Sequence, residues 1–351
     1  MGRTFVIISL ISFATPISAF CASLVLTVLI GSLWLLLFYL IKPAYEVALP
    51  ASILRNIWEN GNPQVGSVVE YDVAMPREST SLQNLRKLSC LKGIYVSHQI
   101  GGGGGGEVFC ARHSSTGRYF ALKTVHGPRF TKSEEARLGS LLSGFPFIAT
   151  TYFGFRESTC LAIAMEYIPG ENLAQILKRC APLPESACKF FVTELVLALE
   201  HVHSFGIMHR DVKPANILVE SSGHIKLGDF GCATRAVRSR EFCGTMEYMA
   251  PEVIMPLGNG FYDSRVDWWA LGVLLFEMQA GYLPFGTRDD GQNVLFHRIC
   301  AGLCLWPEEQ MPGQVSGKAK DFVLSTLEVA ARRIKDADVV RSHAWFAEVR
   351  F

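Results

Sequence analysis

The chain has 351 residues, long enough for one large domain or two, and 33 Lys plus Arg stand against 32 Asp plus Glu, a formal charge of +1. With 49% hydrophobic and 19% charged residues it is not an intrinsically disordered chain, which needs the opposite balance. The near-zero net charge excludes wholesale electrostatic capture of nucleic acid.

Charge is unevenly spread. Residues 4–41 contain no Asp, Glu, Lys or Arg. A bilayer core of roughly 30 Å takes about 20 helical residues to cross, so this run is too long for one straight span. It divides near Pro16 to Cys21. Residues 20–41 are expected to form a membrane-spanning helix, with Trp34 and Tyr39 towards one end and Lys42–Pro43 as its stop. Residues 4–19 read as a second short span or as a signal-peptide apolar region. Flanking charges do not choose the orientation. Residues 42–84 carry Pro43, Pro50, Asn60–Gly61–Asn62–Pro63 and Pro76, and read as a juxtamembrane linker with a short helix near 52–59. No internal repeat is visible in the chain.

From residue 85 the chain becomes globular. The run Ile94–Tyr95–Val96–Ser97–His98–Gln99–Ile100 has strand composition and leads into six glycines, 101 to 106, and then into Glu107–Val108–Phe109–Cys110–Ala111–Arg112. A hairpin with a glycine turn can bring its backbone close over phosphates, although a flexible linker explains glycines alone equally well. Phe120–Ala121–Leu122–Lys123 then sets one ammonium at the end of an apolar strand. A helix-like run from Ala187 to His203 precedes His209–Arg210–Asp211–Val212–Lys213–Pro214–Ala215–Asn216. Asp229–Phe230–Gly231 follows the short strand Ile225–Lys226–Leu227. Ala250–Pro251–Glu252 closes a loop, and Asp267–Trp268–Trp269–Ala270–Leu271–Gly272 opens an apolar helix. Any one triplet arises by chance; the ordered set at these spacings does not.

Over residues 90–346 this set resembles the eukaryotic protein kinase family. Within it the chain is most similar to the basophilic cyclic-nucleotide-dependent and ribosomal-protein kinases, through Phe145–Pro146–Phe147, Met165–Glu166–Tyr167, the run from Phe242 to Glu252, Gly281–Tyr282–Leu283–Pro284–Phe285 and His343–Ala344–Trp345–Phe346. The resemblance implies an α+β, two-lobed kinase fold: a β-rich small lobe over 90–165 and a mainly helical large lobe over 166–351, within a domain of 85–351. With the N-terminal transmembrane helix, this gives a membrane-anchored serine/threonine kinase that transfers the γ-phosphoryl group of ATP, with Mg²⁺, to protein hydroxyls.

Roles follow from the resemblance residue by residue. Asp211 would accept or orient the substrate hydroxyl proton, and Lys213 would neutralise the γ-phosphate. Asn216 and Asp229 would hold Mg²⁺, being hard oxygen ligands. Thr245 would bridge Asp211 and Lys213. Lys123 would bind the α- and β-phosphates, paired with Glu135 of the following helix, or with Glu134 as the alternative. Gly101, Gly103 and Gly106 are the loop glycines, and Ile100, Val108 and Ala121 join the nucleotide-binding set. Met165 would line the adenine pocket, with hydrogen bonds from the backbone of Glu166 to Ile168. Glu171 is counted both with the nucleotide contacts and, beside Glu277, with the acidic substrate surface. Glu252 would pair with Arg333, and Asp267 would brace the catalytic loop.

Four departures qualify the resemblance. Gly105 stands where an aromatic residue caps the phosphates, so ordering the loop costs more entropy and weaker ATP binding is expected. Glu241 stands where a phosphorylated threonine is usual, which suggests activity without activation-loop phosphorylation. Ala215 replaces an acidic residue that selects substrate arginines, so a preference for basic residues near the target is blunted; Arg86–Lys87–Leu88–Ser89 offers a self-site. The long C-terminal tail of the resembled group is expected to be missing after His343–Ala344–Trp345–Phe346. A membrane-tethered pseudokinase scaffold is the alternative function, with the all-glycine loop as its support. The ten cysteines show no zinc-type spacing and suit a reducing compartment, placing the kinase domain on the cytosolic side of the membrane. Cys232 is expected to be a buried, inert thiol.

Overall fold

The computed structural model describes residues 93–103, 105–126, 134–157, 160–256, 258, 260–304 and 315–351. The anchor over 4–41, the linker over 42–84 and the self-site at Ser89 lie outside these residues. Among the described residues no helix is long and apolar enough to cross a membrane.

Five antiparallel strands form the first layer: β1 (Ile94–Gly103), β2 (Gly106–His113), β3 (Tyr119–His126), β4 (Thr151–Glu157) and β5 (Cys160–Glu166), in the order β1-β2-β3-β5-β4. The central strands alternate apolar residues towards a small core of Val96, Phe109, Ala111, Leu122, Ala162 and Ala164. Register then fixes what faces what: Val108 lies opposite Lys123, and Ala121 opposite Met165. Helix α1 (Glu135–Leu142) packs on β4. The approach is close because Gly139 has no side chain; a Cβ there would lie 2.3 Å from Thr151 Oγ1. That contact sets the rotation of α1 about its axis, and so which of its first residues points at the sheet.

The second part is mostly helical. Helices α2 (Leu173–Cys180) and α3 (Glu185–Ser204) precede the short hairpin strands β6 (Ile207–Met208), β7 (Ile217–Val219), β8 (Ile225–Leu227) and β9 (Thr234–Arg235). Strand β6 pairs with β9, and β7 with β8. Helix α4 (Pro251–Ile254) is followed by α5 (Arg265–Ala280), α6 (Gln292–Ala301), α7 (Gly317–Thr326) and α8 (Ala337–Arg341). Helix α5 is apolar nearly all round, and 13 of its residues are buried, as a central core helix must be. It packs against α3 and α7. The main core joins both parts: Leu138, Leu142 and Ile148 belong to the same buried cluster as Leu195, Leu271 and Phe322. Backbone bonds complete the joint, with Ala149 N–H donating to Leu227 O (2.9 Å) and Leu227 N–H to Phe147 O (2.8 Å). This architecture, a β-sheet small lobe on a helical large lobe, brings Lys123, in the middle of β3 and not at its end, to the residues that follow β8.

Candidate active site

Lys123 leaves β3 almost fully buried, 3% exposed, and its ammonium meets two carboxylates. Nζ lies 2.7 Å from Glu135 Oε1 and 2.6 Å from Asp229 Oδ1. The helix carboxylate at Lys123 is thus Glu135; Glu134 is exposed and pairs with Arg137 instead (2.9 Å). Burial works against the charge on Lys123, but the Glu135 and Asp229 carboxylates outweigh it and hold the ammonium above its ordinary range. Burial likewise opposes the Asp229 charge. Lys123, with the Gly231 N–H donating to Asp229 Oδ1 (3.1 Å), overcomes it and keeps that carboxyl below the usual range. Asp229 itself sits in the left-handed region at φ 56°, a conformation that aims its side chain back at β3 and costs energy for a non-glycine residue.

The glycine hairpin closes over this pair. A Cβ on Gly105 would lie 3.3 Å from Lys123 Nζ and 3.6 Å from Asp229 Oδ2, so only backbone covers the charges here. Gly106, at φ +126°, turns into β2 where any Cβ would strike Thr124 O at 2.1 Å. Gly101 pairs with Val108 and Gly103 with Gly106, while Ile100 is exposed on β1. Ala121 and Met165 lie side by side on β3 and β5. The Glu166 carboxylate is taken by Lys226 (3.0 Å) and the Thr150 N–H (3.1 Å), and its own N–H is given to Thr150 O (2.8 Å). Ile168 follows β5, half-buried. Glu171 does not face the site unpaired: Arg179 holds it at 2.6 Å.

The second group of residues lies between β6 and β7. Asp211 receives Lys213 Nζ at Oδ2 (2.8 Å), the Thr245 hydroxyl at Oδ1 (2.7 Å), and Asn216 Nδ2 at Oδ2 (3.1 Å) and at its backbone oxygen (2.7 Å). Lys213 also donates to Thr245 Oγ1 (2.7 Å), closing a triangle. A buried carboxylate holds the loop that carries them. Asp267 accepts the backbone N–H of His209 (2.9 Å) and Arg210 (2.8 Å) and the ring of His203 (2.8 Å). Full burial opposes its charge, yet these bonds keep its carboxyl below the ordinary range. Arg210, at φ 66°, turns its guanidinium to Glu241 (2.9 Å), Ser239 Oγ (2.9 Å), Tyr262 OH (3.1 Å) and Cys232 O (2.7 Å). Glu252 and Arg333 make a buried bidentate pair at 2.5 and 3.0 Å.

Two members of this neighbourhood carry no sequence signal. Tyr262 and Ser239 complete the Arg210 cage, and neither stands in a recognisable motif. Cys243 stands in the run from Phe242 to Glu252, but nothing there marks its thiol. Its bond with the Cys232 thiol, the Arg210 charge and Tyr262 OH (3.9 Å) lower it to about 7, whereas the same thiol bond and burial push Cys232 well up.

For a divalent cation the fit rests on the oxygens. Asn216 spends its amide nitrogen on Asp211, which leaves Oδ1 as a donor atom, and Asp229 Oδ2 lies under the glycine loop. Among the described residues no group of three or more His, Cys, Asp or Glu could hold a metal alone. Two oxygen side chains with phosphates as the remaining ligands suit Mg²⁺ and do not make a closed protein cage.

Comparison with known proteins agrees with this arrangement. The protein kinase domain model matches residues 94–346. The chain is 36% identical over 267 residues to the cAMP-dependent protein kinase catalytic subunit of Dictyostelium discoideum, covering 72% of this chain and 39% of that protein. It is 35% identical over 268 residues to ribosomal protein S6 kinase beta of Caenorhabditis elegans, covering 70% and 46%. A cAMP-dependent protein kinase, catalytic subunit-like protein of Caenorhabditis elegans is 32% identical over 312 residues, covering 83% and 73%. The chain thus spans less than half the length of the first two relatives. A family model matched from the first strand of the sheet to the end of the last core segment, with these relatives, places the chain in the protein kinase family.

Proposed function

We propose that the chain is a serine/threonine protein kinase that moves the γ-phosphoryl group of Mg·ATP onto protein hydroxyls. The observation that carries this reading is the triangle of Asp211, Lys213 and Thr245, set against the Lys123–Glu135–Asp229 group. Phosphoryl transfer needs positioning and charge neutralisation more than covalent help. Asp211, fixed by three side chains, orients a hydroxyl and takes up its proton. Lys213, tied to both Asp211 and Thr245, neutralises charge at the same spot. Lys123 offers a buried cation to phosphate oxygens beneath the glycine loop. The adenine contacts fall to the Glu166 carbonyl and the backbone through Ile168, since the Glu166 N–H is already spent. Asn216 and Asp229 would hold Mg²⁺, and the ion would supply charge neutralisation at the phosphates.

The Glu241–Arg210 ion pair supports activity without activation-loop phosphorylation: a fixed carboxylate already sits on the arginine of the catalytic loop. The uncharged residues 4–41 support a membrane anchor, and the free thiols support a cytosolic face for the kinase domain. Substrates are proteins. A preference for basic residues near the target would rest on Glu171 and Glu277, and both carboxylates are engaged within the chain, by Arg179 and by the Tyr248 hydroxyl. The scaffold alternative has no observation of its own beyond the glycine loop.

Radiolabelled phosphate transfer from ATP to a mixed protein substrate tests the proposal. Wild type is expected to label it and Asp211→Asn to lose the signal; equal labelling by both, or none by either, would sink the reading.

A further inference from the structure

A cleft of about 290 Å³ opens beside the catalytic loop. Its walls include Leu177 and Lys178 of α2, Lys213 and Ala215 of the loop, Tyr248, and Glu277 of α5. Lys213 belongs to this wall and to the Asp211 triangle at once, so a chain that delivers a hydroxyl to Asp211 must lay a neighbouring side chain into or across the cleft.

We propose, building on the kinase reading, that this cleft selects an uncharged substrate side chain over arginine or lysine, with Lys178 and Ala215 as the specificity-determining residues. The charge count carries the argument. Two ammonium groups, Lys178 and Lys213, line the cleft against one carboxylate, Glu277. Lys213 is matched by Asp211, but Lys178, exposed in the last turn of α2, has no ion-pair partner among the described residues. Glu277 already accepts the Tyr248 hydroxyl, and its burial raises its carboxyl, which weakens it as a counter-ion. Ala215 adds only a methyl group. The nearby Glu171 is neutralised by Arg179 and supplies no second carboxylate. A substrate guanidinium would therefore give up water to face one weakened acceptor and an unmatched ammonium, a desolvation that nothing here returns. An uncharged side chain loses little. Its stem covers Leu177 and Ala215, and a terminal amide, as in glutamine, can donate to Glu277 and accept from Lys178.

The test uses serine peptides that carry glutamine, leucine or arginine at one position at a time around the serine. Phosphorylation (kcat/KM) and, without turnover, binding by fluorescence anisotropy are both read with the full chain. At one position wild type should favour glutamine or leucine over arginine by about tenfold. Lys178→Glu and Ala215→Glu should each reverse that order at the same position and leave the others unchanged. Arginine preferred by wild type at every position, or a profile that neither variant moves, overturns the inference. Binding that follows the expected order without phosphorylation of any peptide supports the cleft assignment and overturns the kinase reading, so the two fail separately.

Discussion

The ammonium of Lys123 is held entirely by side-chain charge, from Glu135 on a helix and Asp229 on a distant loop, and above it lies bare glycine backbone. Asp211, by contrast, stands on a loop whose backbone N–H groups are bonded to the buried Asp267, and its own oxygens are filled by Lys213, Thr245 and Asn216. The end proposed for phosphate is thus three charges from three elements, and the end proposed for the hydroxyl is held by the protein's own groups. Asp229 is 38% exposed, so its pair with Lys123 can be exchanged for ligand contacts, whereas buried hydrogen bonds to backbone cannot be broken without a full desolvation penalty.

That contrast can be broken at several points. The largest effect is expected at the fixed end: Asp211→Asn should lower kcat by about 10²–10⁴-fold, the usual contribution of a positioned base, with thermal unfolding unchanged. A fall in thermal stability as large as that in activity would mean that Asp211 serves the scaffold first. Arg333→Ala leaves Glu252 buried and unpaired, and should cost about 3–5 kcal/mol in denaturant unfolding. A loss below 1 kcal/mol would show that the large lobe is not held by its buried pairs. Glu241→Gln removes an exposed partner of Arg210, so a decrease of about two- to fivefold in kcat is expected. Unchanged kcat would end the idea that this carboxylate replaces a phosphate.

Smaller effects probe the movable end. Gly105→Phe should lower the KM for ATP severalfold through reduced loop entropy, about 1 kcal/mol for a glycine lost. The Cβ site at 3.3 Å from Lys123 Nζ adds a condition: the loop must lift to accept it, and a raised KM would show that it does not. The smallest signal is chemical. Cys243, lowered to about 7, is deprotonated above that pH and protonated below it. Its alkylation by iodoacetamide should therefore rise through pH 7 and level off above pH 8, while Cys232 stays slow throughout. Equal rates for the two thiols would contradict the Arg210 and Tyr262 surroundings assigned to Cys243.

Much of the site was legible because its chemistry is local in the chain. Asp211, Lys213 and Asn216 fall within one short loop, where spacing alone brings them near each other, and Asp229 is followed two residues on by Gly231, whose N–H returns to its carboxylate. The strands about Lys123 were equally plain from apolar composition. Partner choice was legible only in part. Glu134 and Glu135 differ by one position, and which of them meets Lys123 depends on the rotation of α1, set where Gly139 packs against Thr151. Nor did the letters show that Arg179 would claim Glu171, or that Tyr248 would claim Glu277, because such pairings join segments whose separation is fixed only by packing.

The motifs in the chain therefore pointed to the family, the order of the elements and the residues proposed here to handle a phosphate and a hydroxyl. Tertiary structure decided which charges are spent inside the protein and which remain for a substrate. An ion pair depends on distance and on the water left between its partners, and neither exists until helices and sheet have packed.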